Sequence, residues 1–218
     1  DSKKLFSKDG GSYYSENNMD FIIDSKYIRK IEENDGFLMP LYNVSKSYDY
    51  LTGSVGSYTP LRYDLNFRNF YHVVSGKVQI KLIPPNYSNN LYSVYDYENF
   101  EFYSKVNPWE VQEQYKVDYN KVKNILLNVS EGSLVNIPPY WWYSIKFLEK
   151  DSEIVSFKYK TVMNNVVMLP YTFMHYLQVQ NIRQKTVKTY NDFIVENDDN
   201  NNENNENNEN NENNENNE

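Results

Sequence analysis

The chain has 218 residues, a mass of 26.0 kDa and a formal net charge of −8, which bounds it to one domain with appendages, large enough for its own core. The charge is local: nine of the 30 acidic residues fall between Glu196 and Glu218, where there is no Lys or Arg, leaving 21 acids against 22 Lys and Arg, so no basic patch supports nucleic-acid binding. The absence of cysteine excludes disulfides, thiolate metal sites and cysteine nucleophiles, and it favours a reducing intracellular compartment.

Residues 1–18 are polar, include Gly10-Gly11 and read as a flexible lead-in. Met19 to Ile31 reads as a strand followed by a short helix or turn, and Phe37 to Tyr42, around Pro40, as an edge strand or extended arm. Tyr48 to Val55 is a core strand. Tyr58 to Asp64 and Phe70 to Val74 are rich in aromatic and β-branched residues, Ser75-Gly76 supplies a turn, and Lys77 to Ile83 alternates until Pro84-Pro85 stops it. Residues 86–123 form an insertion of Tyr alternating with acidic residues, with a helical turn expected after Pro108. Ile125 to Val129, Ser133 to Ile137, Tyr143 to Leu148 and Ile154 to Thr161 complete a set of short antiparallel strands. From Val166 the period becomes helical: Val166, Leu169, Phe173 and Leu177 fall three or four apart and Pro170 suits a first turn, so residues 162–195 are expected to be a helical segment packing on its own barrel or on a second copy. Asn201 to Glu218 is NNE repeated six times and, with residues 196–200, reads as a disordered acidic tail. The sequons at Asn43, Asn86 and Asn128 are what an Asn-rich chain produces by chance. No run of eighteen apolar residues offers a membrane span, although residue 1 is Asp rather than Met and leaves room for an upstream signal, anchor or domain.

Two ordered segments carry more information than the strand pattern. Thr59-Pro60-Leu61-Arg62-Tyr63-Asp64, then Asn69-Phe70-Tyr71, Gly76 and Pro84-Pro85 resemble the T-P-x-H-x-D, N-F-F/Y, G-x-K and P-P of the JmjC and cupin-like 2-oxoglutarate oxygenases, the asparaginyl-hydroxylase branch in particular. Glu131 to Tyr143, EGSLVNIPPYWWY, resembles the same family's P-G-D-x-L-x-I-P-x-x-W-W-H. The resemblance covers Tyr48 to Tyr159 and implies a mainly β fold, a cupin-like double-stranded β-helix or jelly-roll spanning residues 19–161, with a C-terminal helical element. It also implies that the insertion lies over the barrel mouth, where substrate would be touched, and that a dimer through the C-terminal helix is open to the chain.

The family holds Fe(II) with two histidines and one carboxylate, leaving positions for 2-oxoglutarate and O₂. The matching positions here are Arg62, Asp64 and Tyr143. Arginine has no lone pair to give, and a phenol of ordinary pKa is a poor ligand for ferrous iron, so two of three ligands are missing. The family's lysine for 2-oxoglutarate falls at Val78, with Lys77 one residue out of phase. Thr59 matches the threonine that helps hold the co-substrate, and Lys158, on the last strand, is another candidate cation for it, although a lysine on a strand is commonly an exposed one. His72 and His175, the two histidines of the chain, complete no metal or triad constellation. The sequence therefore points to a catalytically degenerate module for a protein or peptide partner, needing no cofactor, with Thr59, Tyr71 and Lys158 bordering a former active-site pocket and Arg62 paired to Asp64 inside it. The alternative is an Fe(II)/2-oxoglutarate hydroxylase with a non-standard ligand set, Asp64 with His72 or Tyr143.

Overall fold

The computed structural model describes residues 13–184. In chain order these form β1 (Tyr14–Ser15), helices α1 (Met19–Asp24), α2 (Ile28–Glu32) and α3 (Asp35–Leu38), then β2 (Asn43–Gly53), β3 (Arg62–Tyr63), β4 (Arg68–Ser75) and β5 (Lys77–Ile83). A 3-10 turn at Pro85–Asn90 leads to β6 (Ser93–Asp96) and β7 (Glu101–Ser104), and a second at Glu113–Tyr115 to α4 (Lys116–Tyr119). The chain continues through β8 (Ile125–Ser130), β9 (Leu134–Asn136), β10 (Trp142–Phe147), β11 (Ser152–Thr161), α5 (Val162–Val167) and α6 (Leu169–Gln184). Two compact units divide the chain after Met174, and every strand belongs to the first.

The strands make two antiparallel sheets, one in the order β1-β2-β11-β4-β9 and one in the order β6-β7-β3-β10-β5-β8. Alternation along each strand sorts the side chains into layers. Leu51, Val73, Val78, Ile80, Ile145, Phe147 and Ile154 fill the space between the sheets, all almost completely buried, at roughly 2 kcal/mol for each large side chain. The opposite face of β10 sends Trp142 into a second cluster with Tyr63, Ile83, Phe102 and Met168. The outer face of β2 and β11 puts Tyr48, Phe157 and Tyr159 under Ile22 and Leu38 of the helices. The hairpin of β4 and β5 turns at Gly76 with φ +75°, where a Cβ would also stand 2.4 Å from Ser152 Oγ, so glycine is required there on both counts.

Several expectations change. Residues 13–18 are not a loose lead-in: Tyr14 and Ser15 pair with Gly53 and Thr52 at the free edge of β2. Met19 to Asp24 folds as a helix, not a strand, and docks Ile22 against the outer face of the sheet. Phe37 to Tyr42 is not an extended arm but the end of α3 and a turn. The insertion is ordered in its centre, where β6 and β7 extend the six-stranded sheet through β3. The helical segment is two helices broken at Met168; its apolar contact with the barrel is made by Met168 and Tyr171 and its polar contact by Asn164, whose Nδ2 donates to the Leu65 carbonyl at 2.7 Å, whereas Val166, Leu169 and Phe173 are exposed. Residues 1–12, the C-terminal segment from residue 185 and the repeat tail lie outside the described residues.

Candidate functional site

Arg62, Asp64 and Tyr143 converge, although they come from segments eighty residues apart. Arg62 stands opposite Tyr143 in the β3–β10 ladder, so both side chains point between the sheets, and the guanidinium lies 5.7 Å from the Tyr143 ring centroid. Asp64 is two residues after Arg62 and is fixed by its carbonyl, which accepts the Tyr140 backbone N–H at 3.0 Å. From the facing sheet, Tyr71 on β4 and Lys158 on β11 reach the same point.

Asp64 is the hub. Lys158 Nζ lies 3.2 Å from its Oδ1 and 3.0 Å from its Oδ2, and Tyr143 Oη donates to Oδ2 at 2.8 Å. Tyr71 Oη donates to Tyr143 Oη at 2.7 Å and also lies 3.3 Å from Asp64 Oδ2. Each phenol has one proton, so the shorter path sets the direction: Tyr71 to Tyr143 to Asp64. Burial by itself would push the Asp64 carboxyl up, but the Lys158 ammonium and Arg62 guanidinium outweigh it and hold it below the ordinary carboxylate range. Burial likewise would lower Lys158, and Asp64 reverses that, while both phenols are pushed up by burial first and are held neutral.

The expected pairing of Arg62 with Asp64 is not the one formed. Arg62 makes a two-pronged pair with Glu16, Nη1 donating to Oε1 at 2.9 Å and Nη2 to Oε2, while Lys158 takes Asp64. Glu16 comes from the segment just after β1 and so ties the edge of one sheet to the interior strand of the other. Nothing in the sequence marked it, because a lone glutamate before two asparagines reads as solvated. The four charges, Arg62 and Lys158 against Glu16 and Asp64, cancel.

Above this network is a cavity of about 560 Å³ with Glu16, Arg62, Asp64 and Lys158 at its base and Phe100 and Phe102 in its wall. Residues 100–103, at the turn and second strand of the β6–β7 hairpin, thus line the cavity. Of the three residues expected to border the pocket, only Lys158 does so. Tyr71 and Thr59 are fully buried, and Thr59 Oγ1 accepts the Ile145 backbone N–H at 3.0 Å. Val78 is in the core and Lys77 is on the surface with Glu149, in keeping with their opposite phases. His72 alternates out of phase with the buried Tyr71 and Val73, so its ring faces away from Asp64. No cluster of three His, Cys, Asp or Glu suited to a metal occurs among the described residues.

Comparison with known proteins agrees with this architecture. Residues 25–165 match the family model described as Cupin-like domain. JmjC domain-containing protein D of Dictyostelium discoideum is 31% identical over 105 residues, 47% of this chain and 22% of that protein. HSPB1-associated protein 1 of Rattus norvegicus is 26% identical over 98 residues, 44% of this chain and 20% of that protein, so the chain spans about a fifth of the length of these relatives. Among solved structures, KdgF from Halomonas sp. aligns with a TM-score of 0.31 at 12% identity, covering 54% of this chain and 74% of its own. With a family match over residues 25–165 and two antiparallel sheets built largely on the same residues, this chain belongs to the cupin-like domain family.

Proposed function

We propose that this cupin-like domain is a binding module in which a charge and phenol network stands where the family holds iron. The observation that carries the reading is the state of Asp64, the one family ligand retained, whose two oxygens already accept from Lys158 and Tyr143. Arg62 offers no lone pair, Tyr143 spends its only proton on Asp64 and is held neutral, and His72 faces the other way. This donor set does not fit Fe(II), and no step of an oxygenase mechanism is derived through it. The co-substrate position is no better suited, with Val78 in place of the lysine and Thr59 engaged by the backbone.

A protein or peptide is the partner class we favour. Large apolar side chains are exposed around a second cavity, of about 610 Å³, where Leu41, Tyr42, Val162 and Met163 meet. A curated relative is by its name associated with another protein, HSPB1. Self-association through the C-terminal helix belongs to the same proposal, and sedimentation of the full chain across a concentration series tests it. No helix among the described residues is long and apolar enough to cross a membrane.

The deciding experiment is metal analysis of the full chain after anaerobic incubation with Fe(II), followed by titration with 2-oxoglutarate. The expected result is substoichiometric iron and no saturable 2-oxoglutarate binding. Stoichiometric iron with saturable co-substrate binding would overturn the proposal in favour of a hydroxylase with an unusual ligand set.

A further inference from the structure

Within ion-pair distance among the described residues, Arg62 has a single carboxylate, Glu16, and that carboxylate lies just after β1, a two-residue strand at the edge of its sheet. β1 has two residues and two paired positions, extended by Ser54 N–H donating to the Tyr13 carbonyl at 2.8 Å and Tyr13 N–H to Ser54 Oγ at 2.9 Å, and Tyr13 and Tyr14 are each more than a third exposed. What holds the segment beyond β1 is polar. The Asn17 and Asn18 backbone N–H groups donate to Asp49 at 2.9 and 2.7 Å, and Asn18 Nδ2 donates to the Tyr50 carbonyl at 2.6 Å. Asn17 sits at φ +60°, a conformation that costs a non-glycine residue free energy. Water can replace each of these polar contacts. The guanidinium is anchored differently. Its strand, β3, is held between β10 and β7, the guanidinium lies 5.7 Å from the Tyr143 ring centroid, and its Nε is buried with no acceptor among the described residues.

A rigid, incompletely satisfied guanidinium at the base of a cavity of about 560 Å³, covered by a carboxylate on a loosely held segment, is arranged like a receptor with its own competitor in place. We propose that the Arg62 fork binds a carboxylate from outside the chain and that Glu16 is the built-in occupant which such a ligand displaces. The ligand class is a carboxylate that fits a cavity of about 560 Å³ with Phe100 and Phe102 in its lining, either a small carboxylic acid or the acidic side chain of a peptide. Displacement exchanges one charge-assisted pair for another, so the protein is not left with a buried unpaired cation at either end of the process. The proposal deepens the binding-module reading and rests on it. The two fail separately, because iron uptake would overturn that reading without touching carboxylate binding.

The test uses the full chain as wild type, Glu16→Gln and Glu16→Gln with Arg62→Lys, titrated with sodium acetate against sodium chloride at matched ionic strength. Binding is read from the thermal midpoint and from amide hydrogen exchange at residues 14–18. Acetate should bind Glu16→Gln about tenfold more tightly than wild type, since the amide competes without charge, and adding Arg62→Lys, which removes the fork, should abolish the gain. In wild type, saturating acetate should accelerate exchange at residues 14–18. A blocked Gly-Asp-Gly peptide assigns the source: tighter binding than acetate marks an acidic peptide, weaker binding a small acid. Equal acetate affinity in wild type and Glu16→Gln, or protection of residues 14–18 by acetate, would overturn the proposal. Should Glu16→Gln fail to fold, the exchange measurement on wild type decides alone.

Discussion

The protein builds the same polar cluster twice, once on each face of β11. On the inner face Asp64 meets Lys158, Tyr143 and Tyr71; on the outer face Asp35 of α3 meets Lys46 at 2.9 Å, Tyr48 at 2.5 Å and Tyr159 at 2.7 Å. Lys158 and Tyr159 are neighbours in sequence, so one strand supplies both clusters by alternation. The outer cluster has an ordinary role: it pins a four-residue helix to the sheet, and its lysine is well exposed and shared with Glu32. An aspartate with a lysine and two phenols is thus, in this molecule, a structural device. The inner copy differs in its neighbours, namely a cavity, a second cation in Arg62, and the positions where the family holds a metal. Those neighbours, and not the cluster's own chemistry, are what make it a candidate site.

The sharpest way to separate the two is to remove each hub. Asp64→Asn leaves Lys158, less than a quarter exposed, without its counter-charge, and should cost about 3 kcal/mol in denaturant unfolding. The double change Asp64→Leu with Lys158→Met should recover most of that loss, as replacement of a buried pair by apolar groups often does. Asp35→Asn should cost less, about 2 kcal/mol, because Lys46 keeps Glu32 and water. Equal losses at both hubs would erase the distinction drawn here. Tyr143→Phe and Tyr159→Phe each remove one phenol that donates to a carboxylate and should each cost about 1.5 kcal/mol, with a chelator leaving both melting temperatures unchanged.

Acid should act on both clusters in the same direction. Burial raises each carboxyl, but Lys158 and Arg62 at Asp64, and Tyr48, Lys46 and Tyr159 at Asp35, bring the net shift below the ordinary value. A depressed carboxyl stabilises the fold above its unfolded pKa of about 3.9, and this stabilisation is lost as pH falls through the folded value. Stability measured by urea unfolding should therefore be flat above pH ~5 and fall below ~4. The alkaline limb has the opposite sign. Tyr71 and Tyr143 are raised, so their contribution is complete below about 10 and lost as pH climbs beyond it. Phenolate absorbance should show a class of tyrosines that ionise only on unfolding.

The barrel was legible because its signals are local. The alternation of Lys77 to Ile83 matches β5 residue for residue, and Gly76 occupies the turn that its neighbours announce. The convergence of Arg62, Asp64 and Tyr143 was legible only through the family resemblance, since no spacing rule joins β3 to β10. Their partners were not. Glu16 reaches Arg62 across 46 residues and Lys158 reaches Asp64 across 94, and a charge's partner over such distances is set by which sheet edges meet. The helix at Met19 to Asp24 was misread for a related reason. Its apolar residues suit a strand as well as a helix, and the choice is made by the long-range docking of Ile22 beside Tyr48, Phe157 and Tyr159, which no local pattern announces.

The register of β11 has a consequence for how the family can vary here. Its pairing slips between Glu153 and Ile154 on the β4 side and between Lys160 and Thr161 on the β2 side, so Ile154 to Lys160 is an unbroken stretch between two irregularities. A residue gained or lost inside that stretch would turn Lys158 outward and Tyr159 inward together, dismantling both clusters in one event. Gains and losses beyond either slip would be absorbed before they arrive. Lineages descended from this chain should therefore change length at the two ends of β11 and hold its middle to a fixed count.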